Sequence, residues 1–305
     1  MPNKVSRSCD ARAELLPRWL KRNVPKGSAN HFTARLIGQL GLQTVCDHAK
    51  CPNRMECYSQ KTATFMILGD VCTRACRFCS VRKGKPLPPD VDEPRRLAEA
   101  VRTLGLRHVV ITCVTRDDLP DGGAEQFIQT IEAIRRHAVD QTPSNDAHRL
   151  PTIEVLPSDF AGNTAAVDRL VAARPEVYNH NTETVPRLFH VVRDKRTSYR
   201  WTLEMFRRIR RADPAIAIKT GIMLGLGETA DELLDALAEL HEAGCRMLTL
   251  GQYLQPSPTQ MPVVRYVPPD EFDRLGEAAR GIGYEQVAAG PFVRSSYHAG
   301  EMLKP

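Results

Sequence analysis

Three absences limit what this chain of 305 residues can do. No apolar run approaches the ~18 residues of a membrane-spanning helix, so we expect any membrane role to be peripheral. No apolar signal-peptide core lies near the start, which favours a reducing, cytoplasmic compartment over disulfide formation. Aromatic residues make up only 6% of the sequence, and the basic stretches lack the interleaved aromatics that stack on single-stranded nucleic acid. We therefore expect neither a membrane nor a nucleic-acid partner.

The charge is not balanced, because the chain carries a formal net charge of +6. Basic clusters at residues 21–26 and 207–211 would favour an acidic partner through long-range electrostatic attraction. The second cluster, RRIRR, is equally typical of a solvated helix face. Both interpretations stay open at this point.

Cysteine is the most informative residue type, since six of the nine cysteines are concentrated between Cys46 and Cys79. In the segment GDVCTRACRFCS, Cys72, Cys76 and Cys79 follow a short apolar run. Their three-then-two spacing differs from the short-spaced couples of zinc fingers and from the usual ferredoxin runs. Three thiolates on one loop can hold three irons of a four-iron cluster, leaving the fourth iron open to a substrate or cofactor. Zinc is the weaker alternative, because the loop contains no histidine.

A second triad lies just upstream, where Cys46, Cys51 and Cys57 are separated by four and then five residues. An iron–sulfur site is the favoured interpretation here too. His48 could instead complete a closed zinc site of three cysteines and one histidine. Disulfides fit less well, because the other three cysteines are scattered singly along the chain.

Beyond these triads, apolar runs rich in β-branched residues alternate with helical patterns. Nearly continuous apolar strands joined by helices predict a parallel α/β sheet, either doubly wound or barrel-shaped. The fifth helix has clear boundary signals, with Thr229 and Glu232 as a capping box and Gly244 as a terminator. Six units favour a partial TIM-like barrel. The predicted strand and helix pairs are 64–68 with 93–105, 108–114 with 124–137, 152–157 with 163–173, 176–179 with 198–211, 215–224 with 229–244, and 246–254 with 269–283.

Polar residues gather where each predicted strand ends, which is where parallel α/β folds place their active sites. The downstream cysteine loop also follows the first strand, so it should face the same rim. Each polar segment alone is equally typical of an ordinary turn. The segments are 115–123, 157–159, 179–184, 225–228 and 254–257.

These patterns together resemble one family. The loop GDVCTRACRFC is similar to the signature of the radical S-adenosylmethionine (SAM) enzymes. The upstream triad, NHNTETV, GIMLGLGE, GQYLQP and a terminal RSSYHAGEM narrow the resemblance to the lipoyl synthases, from about residue 40 to the C-terminus. The resemblance implies a radical SAM partial (β/α)6 barrel over residues 61–283. Residues 1–60 would form an extension carrying the upstream triad, and residues 284–305 a C-terminal strand and tail with the RSSY motif.

The resemblance also implies two [4Fe–4S] clusters with different roles. Cys72, Cys76 and Cys79 would hold the catalytic cluster, whose open iron binds SAM. Asn181 and Glu183 would contact the polar groups of SAM, and the backbone near residues 225–228 would line the adenosyl pocket.

The second implied cluster is an auxiliary sulfur donor held by Cys46, Cys51 and Cys57. In this family a serine of the RSSY motif supplies the fourth ligand, and we favour Ser296 over Ser295. A serine oxygen binds iron less well than a thiolate does, which suits a cluster that has to be dismantled.

The implied reaction inserts two sulfur atoms at C6 and C8 of an octanoyl chain on a carrier lysine, giving the lipoyl cofactor. Unactivated C–H bonds are not acidic, so the reaction needs a radical, which a cofactor has to supply. Implied partners are octanoylated lipoyl domains of 2-oxoacid dehydrogenase E2 subunits, the glycine cleavage H protein, an electron donor such as flavodoxin or ferredoxin, and an Fe–S carrier that rebuilds the donor cluster.

Two alternatives remain open from the sequence. One is another radical SAM sulfur-inserting enzyme, such as a biotin synthase or a tRNA methylthiotransferase. The other is a non-catalytic zinc or Fe–S protein that binds nucleic acid. The segment 1–40 carries little pattern and is interpreted as a strap across the barrel or a partner-binding segment. The segment 141–150 is interpreted as a surface insertion.

Overall fold

The structure is a computed structural model that describes residues 16–21, 29–139 and 150–303. The predicted insertion, apart from its last residue, and most of the segment 1–28 lie outside these ranges. Within the described ranges, no helix is long and apolar enough to cross a membrane.

The main sheet has eight strands whose spatial order follows their order along the chain. The order is β1-β2-β5-β6-β7-β8-β9-β10, with β1 antiparallel to β2 and every other neighbouring pair parallel. Two short strands, β3 and β4, form a separate parallel pair next to the downstream cysteines. The strands are β1 (Gln43–Thr44), β2 (Thr64–Ile67), β3 (Val71–Cys72), β4 (Arg82–Lys83), β5 (His108–Cys113), β6 (Thr152–Leu156), β7 (Val177–Asn179), β8 (Ala217–Leu224), β9 (Met247–Gln252) and β10 (Gln286–Gly290).

The helices between the parallel strands confirm all six predicted units. The capping box is also present, because Thr229 and Glu232 accept hydrogen bonds from each other's backbone N–H groups. Gly244 follows this helix with φ +108°, a conformation that favours glycine. The helices are α1 (Ala29–Gln39), α2 (Val45–His48), α3 (Arg54–Ser59), α4 (Glu93–Leu104), α5 (Ala124–Val139), α6 (Thr164–Ala172), α7 (Phe189–Val192), α8 (Tyr199–Ala212), α9 (Ala230–Glu242) and α10 (Pro269–Ile282).

The core lies between the sheet and the apolar faces of these helices. In α9, Leu233, Leu237 and Leu240 are buried, as their spacing predicts. The strands β2 and β9 are buried along their whole length. Burial on both faces is the reason that these strands read as continuous apolar runs.

The N-terminal segment has more structure than its sequence pattern indicates. The helix α1 packs against α3 and α4. The strand β1 then pairs with β2, Gln43 opposite Met66 and Thr44 opposite Phe65, and so extends the main sheet by one antiparallel edge strand. The segment before the upstream triad is therefore joined to the barrel by packing and by backbone hydrogen bonds.

The chain after β10, here called the C-terminal tail (residues 291–303), turns back along the barrel. Near its start, the carbonyl oxygen of Val293 lies against Gly251 at the carboxyl end of β9. A side chain at position 251 would place its Cβ atom only 2.1 Å from that oxygen. Near its end, Met302 shares a small apolar cluster with Met247 at the amino end of the same strand. The tail thus runs from the carboxyl ends toward the amino ends of the strands.

Candidate active site

A cavity of about 470 Å³ lies at the carboxyl ends of the barrel strands. Both cysteine triads and the RSSY motif contribute to its wall, although they are far apart in sequence. The thiol and hydroxyl residues in the wall include Cys46, Cys51, Cys72, Cys76, Cys79, Ser295 and Ser296. Cys57 is not in the wall but lies close enough to Cys46 and Cys51 to interact with them electrostatically.

Four of the five polar segments predicted at the rim contribute to this cavity. They are represented by Thr115, Ser158, Asn181 and Gln255, among others. The fifth segment, residues 225–228, does not line this cavity, and the prediction that the backbone near it lines the adenosyl pocket stays a prediction. Its Glu228 carboxylate accepts hydrogen bonds from the backbone of its own turn, and residues 221–223 form the wall instead.

The downstream loop presents its sulfur atoms to backbone donors. The backbone N–H of Arg74 lies 3.4 Å from Cys72 Sγ, and that of Asp194 lies 3.4 Å from Cys76 Sγ. Hydrogen bonds to sulfur favour the thiolate and tune the potential of a bound cluster. Burial raises the pKa of Cys79 to about 12, so a metal would have to supply the positive charge that displaces its proton.

Buried ion pairs fix this loop to the rim. The Arg74 side chain is only 3% exposed. It donates to both carboxylate oxygens of Asp117, at 2.9 and 2.7 Å, and forms a 2.7 Å ion pair with Asp159. Burial opposes the charge on Arg74, but these two carboxylates outweigh it and raise its pKa. The two aspartates lie in predicted rim segments, but no sequence signal paired them with Arg74.

A second contact fixes the loop from the opposite side. The Asp194 carboxylate accepts from the backbone N–H of Ala75 at 2.8 Å and pairs with Arg196 at 2.9 Å. The hydrogen bond from Arg196 is the main cause of a lowered pKa at Asp194, which is therefore ionised at neutral pH. The loop that carries Cys72, Cys76 and Cys79 is thus held by charged groups from the segments after β5, β6 and α7.

The upstream triad is built on the two short helices α2 and α3. Tyr58 of α3 donates to Asp47 of α2 at 2.6 Å, which joins the helices that carry Cys57 and Cys46. Burial raises the pKa of Cys46 to about 11 and that of Cys57 to about 12, so both thiols are neutral near pH 7 until a metal binds. The backbone N–H of Cys51 donates to the Cys46 carbonyl at 3.1 Å and closes the turn between them.

His48, the histidine that could complete a zinc site at the upstream triad, has a partner at one of its ring nitrogens. His48 Nε2 lies 2.8 Å from Gln43 Oε1. In the part of the chain that the structure describes, no three His, Cys, Asp or Glu side chains are placed to hold one metal ion. In a four-iron cluster each thiolate binds a different iron, so the sulfurs need not converge on one point. Two thiols and a hydroxyl in the cavity wall, with the Cys57 thiol close to both thiols, fit such a cluster.

The C-terminal tail contacts the upstream triad through hydrogen bonds that we call the tail clasp. Asn53 Nδ2 donates to the carbonyl oxygen of Phe292 at 2.7 Å. Tyr297 Oη donates to Glu56 Oε1, also at 2.7 Å. Both contacts join residues next to the triad cysteines to residues of the tail. The RSSY motif therefore lies against the upstream triad.

The two serines of this motif have different neighbours. Ser296 Oγ accepts from Thr64 Oγ1 at 2.8 Å, and Thr64 is close enough to Cys46 to oppose the rise that burial causes in the pKa of its thiol. Ser295 Oγ accepts from Asn181 Nδ2 at 3.2 Å. Ser296 therefore lies on the side of the upstream triad, whereas Ser295 lies on the side predicted to bind SAM.

Polar atoms without partners mark the other side of the cavity. Asn181 Oδ1, His180 Nε2 and Arg193 Nε are buried and make no hydrogen bond with the described residues, although all three residues line the cavity. Glu183 adopts φ +68°, which is uncommon outside glycine, and accepts from Asn181 Nδ2 at 3.2 Å. Buried polar atoms left unpaired indicate a ligand. No sequence signal identified Arg193.

Burial also sets the charge of these groups. It lowers the pKa of His180 to about 4, so the imidazole is neutral at pH 7. It raises the pKa of Glu183, and the positive charge of Arg193 opposes that rise. The two cysteine loops meet beside these groups, because Ser80 Oγ donates to the His48 carbonyl at 2.6 Å.

Comparison with known proteins decides the family. Residues 66–246 match the model of the radical SAM superfamily. The lipoyl synthase of Rhodopirellula baltica is 56% identical over 95% of this chain and 88% of its own length. That of Caldanaerobacter subterraneus is 48% identical over 93% of this chain and 95% of its own length. The chain belongs to the lipoyl synthase family.

Two solved structures have the same fold as this member of the lipoyl synthase family. The FeFe-hydrogenase maturase HydG from Carboxydothermus hydrogenoformans superimposes with a TM-score of 0.55 at 17% identity, over 73% of this chain and 52% of its own. Methylornithine synthase gives a TM-score of 0.50 at 12% identity, over 79% and 69%. With the superfamily match, these likenesses confirm the predicted radical SAM barrel.

Family membership also decides between the alternatives that the sequence left open. The chain is a radical SAM sulfur-inserting enzyme that uses SAM and [4Fe–4S] clusters, and the interpretation as a non-catalytic zinc or nucleic-acid-binding protein is wrong. The limits of the extensions and the roles of individual residues stay predictions.

Proposed function

We propose that this enzyme inserts two sulfur atoms at C6 and C8 of an octanoyl-lysine on a lipoyl carrier domain. One observation carries the proposal: thiols of both triads and Ser296 line the same cavity. A carbon radical formed beside one triad is then within reach of a sulfur source at the other. A shared, partly enclosed cavity also limits the side reactions of the radical with water.

We assign the first cluster to Cys72, Cys76 and Cys79 and the auxiliary cluster to Cys46, Cys51, Cys57 and Ser296. The two sets differ in their number of ligands, and this difference fits their expected roles. Three thiols alone leave one iron open to SAM, whereas three thiols and a hydroxyl fill all four positions. Cys72, Cys76 and Cys79 would hold a cluster that supplies the electron for radical chemistry with SAM, and the auxiliary set would hold a cluster that supplies sulfur.

The protein groups facing the first triad suit the amino-acid part of SAM. Arg193 matches a carboxylate, and Glu183 with Asn181 matches an ammonium group. His180 is neutral at pH 7, so it adds no charge that would repel the sulfonium. These residues bind and orient SAM, and their unpaired atoms find partners when it is present.

The rest of the cavity wall is apolar enough to receive an alkyl chain. Apolar side chains from several strands and strand ends alternate there with the thiols. An octanoyl chain would gain roughly 0.8 kcal/mol for each methylene that it buries. The apolar wall residues include Met66, Phe78, Val114, Leu156, Ile222 and Leu254.

The proposed partners follow from this reaction. The carriers would be lipoyl domains of 2-oxoacid dehydrogenase E2 subunits and the glycine cleavage H protein, in the cytoplasm. A flavodoxin or ferredoxin would supply electrons, and an Fe–S carrier would rebuild the auxiliary cluster. The net charge of +6 supports an acidic carrier surface.

The test is anaerobic incubation of reconstituted protein with SAM, a reductant and an octanoylated carrier peptide. Mass spectrometry should show replacement of two hydrogens by two sulfurs, with 5′-deoxyadenosine formed in parallel. A reaction without SAM is the control. Formation of 5′-deoxyadenosine with the peptide unchanged, but with sulfur inserted into dethiobiotin or tRNA, would assign the enzyme to one of the other sulfur-inserting classes.

A further inference from the structure

Thr64 occupies a position that the sequence patterns did not single out. It begins β2, is 5% exposed, and donates through Oγ1 to Ser296 Oγ at 2.8 Å. Its backbone N–H also lies near the Cys46 thiol. One residue of the barrel therefore lies beside both a cysteine of the upstream triad and the serine contributed by the C-terminal tail.

The direction of this hydrogen bond has a chemical consequence. Because Thr64 donates, the proton on Ser296 is not needed for their contact and can leave when the oxygen binds a metal. The oxygen that remains is an anion, and a hydrogen bond to an anion is roughly twice as strong as one between neutral groups. The contact therefore becomes stronger when Ser296 acts as a ligand.

The position of Thr64 makes the contact a rigid one. Its backbone lies in the main sheet, opposite Val110 of β5. Threonine is β-branched and has few side-chain rotamers, so the sheet holds the hydroxyl in a narrow range of directions. The tail has no such support, since the described segment 291–303 contains only one short 3-10 turn, Ala299–Glu301.

We propose that Thr64 is a positioning residue that holds the Ser296 oxygen against the upstream triad and stabilises it as the fourth ligand of the auxiliary cluster. The inference rests on the proposed function, because it takes the upstream triad as a cluster site. It adds a specific role: the strength of the Thr64 hydrogen bond controls how readily the serine leaves and the cluster opens.

The test measures how fast a chelator removes iron from the anaerobic, fully reconstituted protein in the presence of excess SAM. SAM occupies the open iron of the first cluster, so the fastest phase reports the auxiliary cluster. Thr64→Val keeps the β-branched shape but removes the donor, and should speed this phase roughly tenfold, equivalent to about 1.4 kcal/mol. Thr64→Ser restores the donor and should return the rate to within about twofold of the wild type.

A double-mutant cycle separates this role from a general loss of stability. In a Ser296→Ala background, Thr64→Val should not change the rate further, because the hydrogen bond it removes is already absent. A matched control is Thr130→Val, since Thr130 is also buried but donates to the Gln126 carbonyl within α5. Its iron-release rate should equal that of the wild type.

Two results would overturn the inference. One is an unchanged rate in Thr64→Val, and the other is an equal effect of Thr64→Val with and without Ser296. Failure of its premise, that the upstream triad holds a cluster, would look different, because wild-type protein would then hold about four irons per chain rather than about eight.

Discussion

The two cysteine regions face one cavity but are held in different ways. Buried ion pairs of Arg74 and a hydrogen bond from the Ala75 backbone to Asp194 fix the downstream loop to the barrel rim. The upstream triad is joined to the C-terminal tail by single hydrogen bonds, those of the tail clasp and of Thr64, which connect residues 232 to 241 positions apart. The barrel itself thus builds the first site, whereas the second also needs the C-terminal tail.

This difference matches the tasks that we assign to the two sites. A cluster that is reused needs fixed ligands, and breaking a buried ion pair costs about 3–5 kcal/mol. A cluster that gives up its sulfur has to open, and a single hydrogen bond between neutral groups contributes only about 0.5–1.5 kcal/mol. The weaker attachment therefore lies at the site that has to come apart.

The largest expected effects are those of cysteine substitutions, which should affect SAM cleavage and sulfur insertion differently in the two triads. Cys76→Ala should abolish SAM cleavage, because the loss of one thiolate destabilises the cluster that reduces SAM, and the same holds for Cys72 and Cys79. Cys51→Ala should keep SAM cleavage and lose sulfur insertion. Quantifying 5′-deoxyadenosine and the sulfur-containing product in parallel checks both. If Cys76→Ala still forms 5′-deoxyadenosine, the division of roles fails.

Substitutions at the two serines of the RSSY motif test which of them belongs to the upstream site. Ser296→Ala should lower the ratio of sulfur-inserted product to 5′-deoxyadenosine by about 10- to 100-fold, because the auxiliary cluster loses its fourth ligand. Ser296→Cys should still assemble a cluster but also impair insertion, since thiolate binds iron more tightly. Ser295→Ala is the matched control and should leave the ratio unchanged. A reversed pattern would assign the ligand to Ser295.

Stability should also differ between the regions. Arg74→Ala should destabilise cluster-free protein by about 3–5 kcal/mol, because it removes the buried cation that pairs with Asp117 and Asp159. Tyr297→Phe removes one hydrogen bond to a charged group, Glu56, and should cost about 1.5–3 kcal/mol. Urea unfolding followed by circular dichroism gives both values. Arg200→Ala, in an exposed pair with Glu204, is the control and should not move the midpoint. Equal losses at Arg74 and Tyr297 would contradict the comparison.

The smallest expected effect is on association with the carrier domain. The association rate constant should fall as salt is added, because charges are screened over ~10 Å at 0.1 M ionic strength. The cluster at residues 207–211 should contribute little, since Arg208 pairs with Asp168 and Ile209 is buried. Stopped-flow measurements with Arg207→Ala and Arg211→Ala test this. A rate that does not depend on salt would show that the net charge has no role in docking.

The fold was largely predictable because its signals are local. Each of the six predicted strands is a mainly apolar run, and the helices that follow them repeat every three to four residues, so α9 and its capping box could be recognised from its own sequence. The helix α1 was missed because its apolar pattern is weak, and its packing partners lie in or beyond the upstream triad.

The candidate site was predictable in its cysteines, whose spacing is itself a local signal, and in the polar segments that follow the strand ends. The contacts that position them are not local. Arg74 pairs with Asp117 and Asp159, and Thr64 donates to Ser296, only because the fold brings separate segments of the chain together. Nothing in the residues beside Thr64 distinguishes it from any other threonine at the start of a buried strand.

The long separation between Thr64 and Ser296 has a consequence for how the protein is made. The charged groups that fix the downstream loop, from Arg74 to Arg196, have left the ribosome before translation ends. The tail residues that contact the upstream triad are made after those groups, and their contacts span a much greater sequence separation. We therefore expect the upstream site to be completed later than the downstream one, and a ribosome-stalled chain ending before Pro291 would lack the serine that we assign to it.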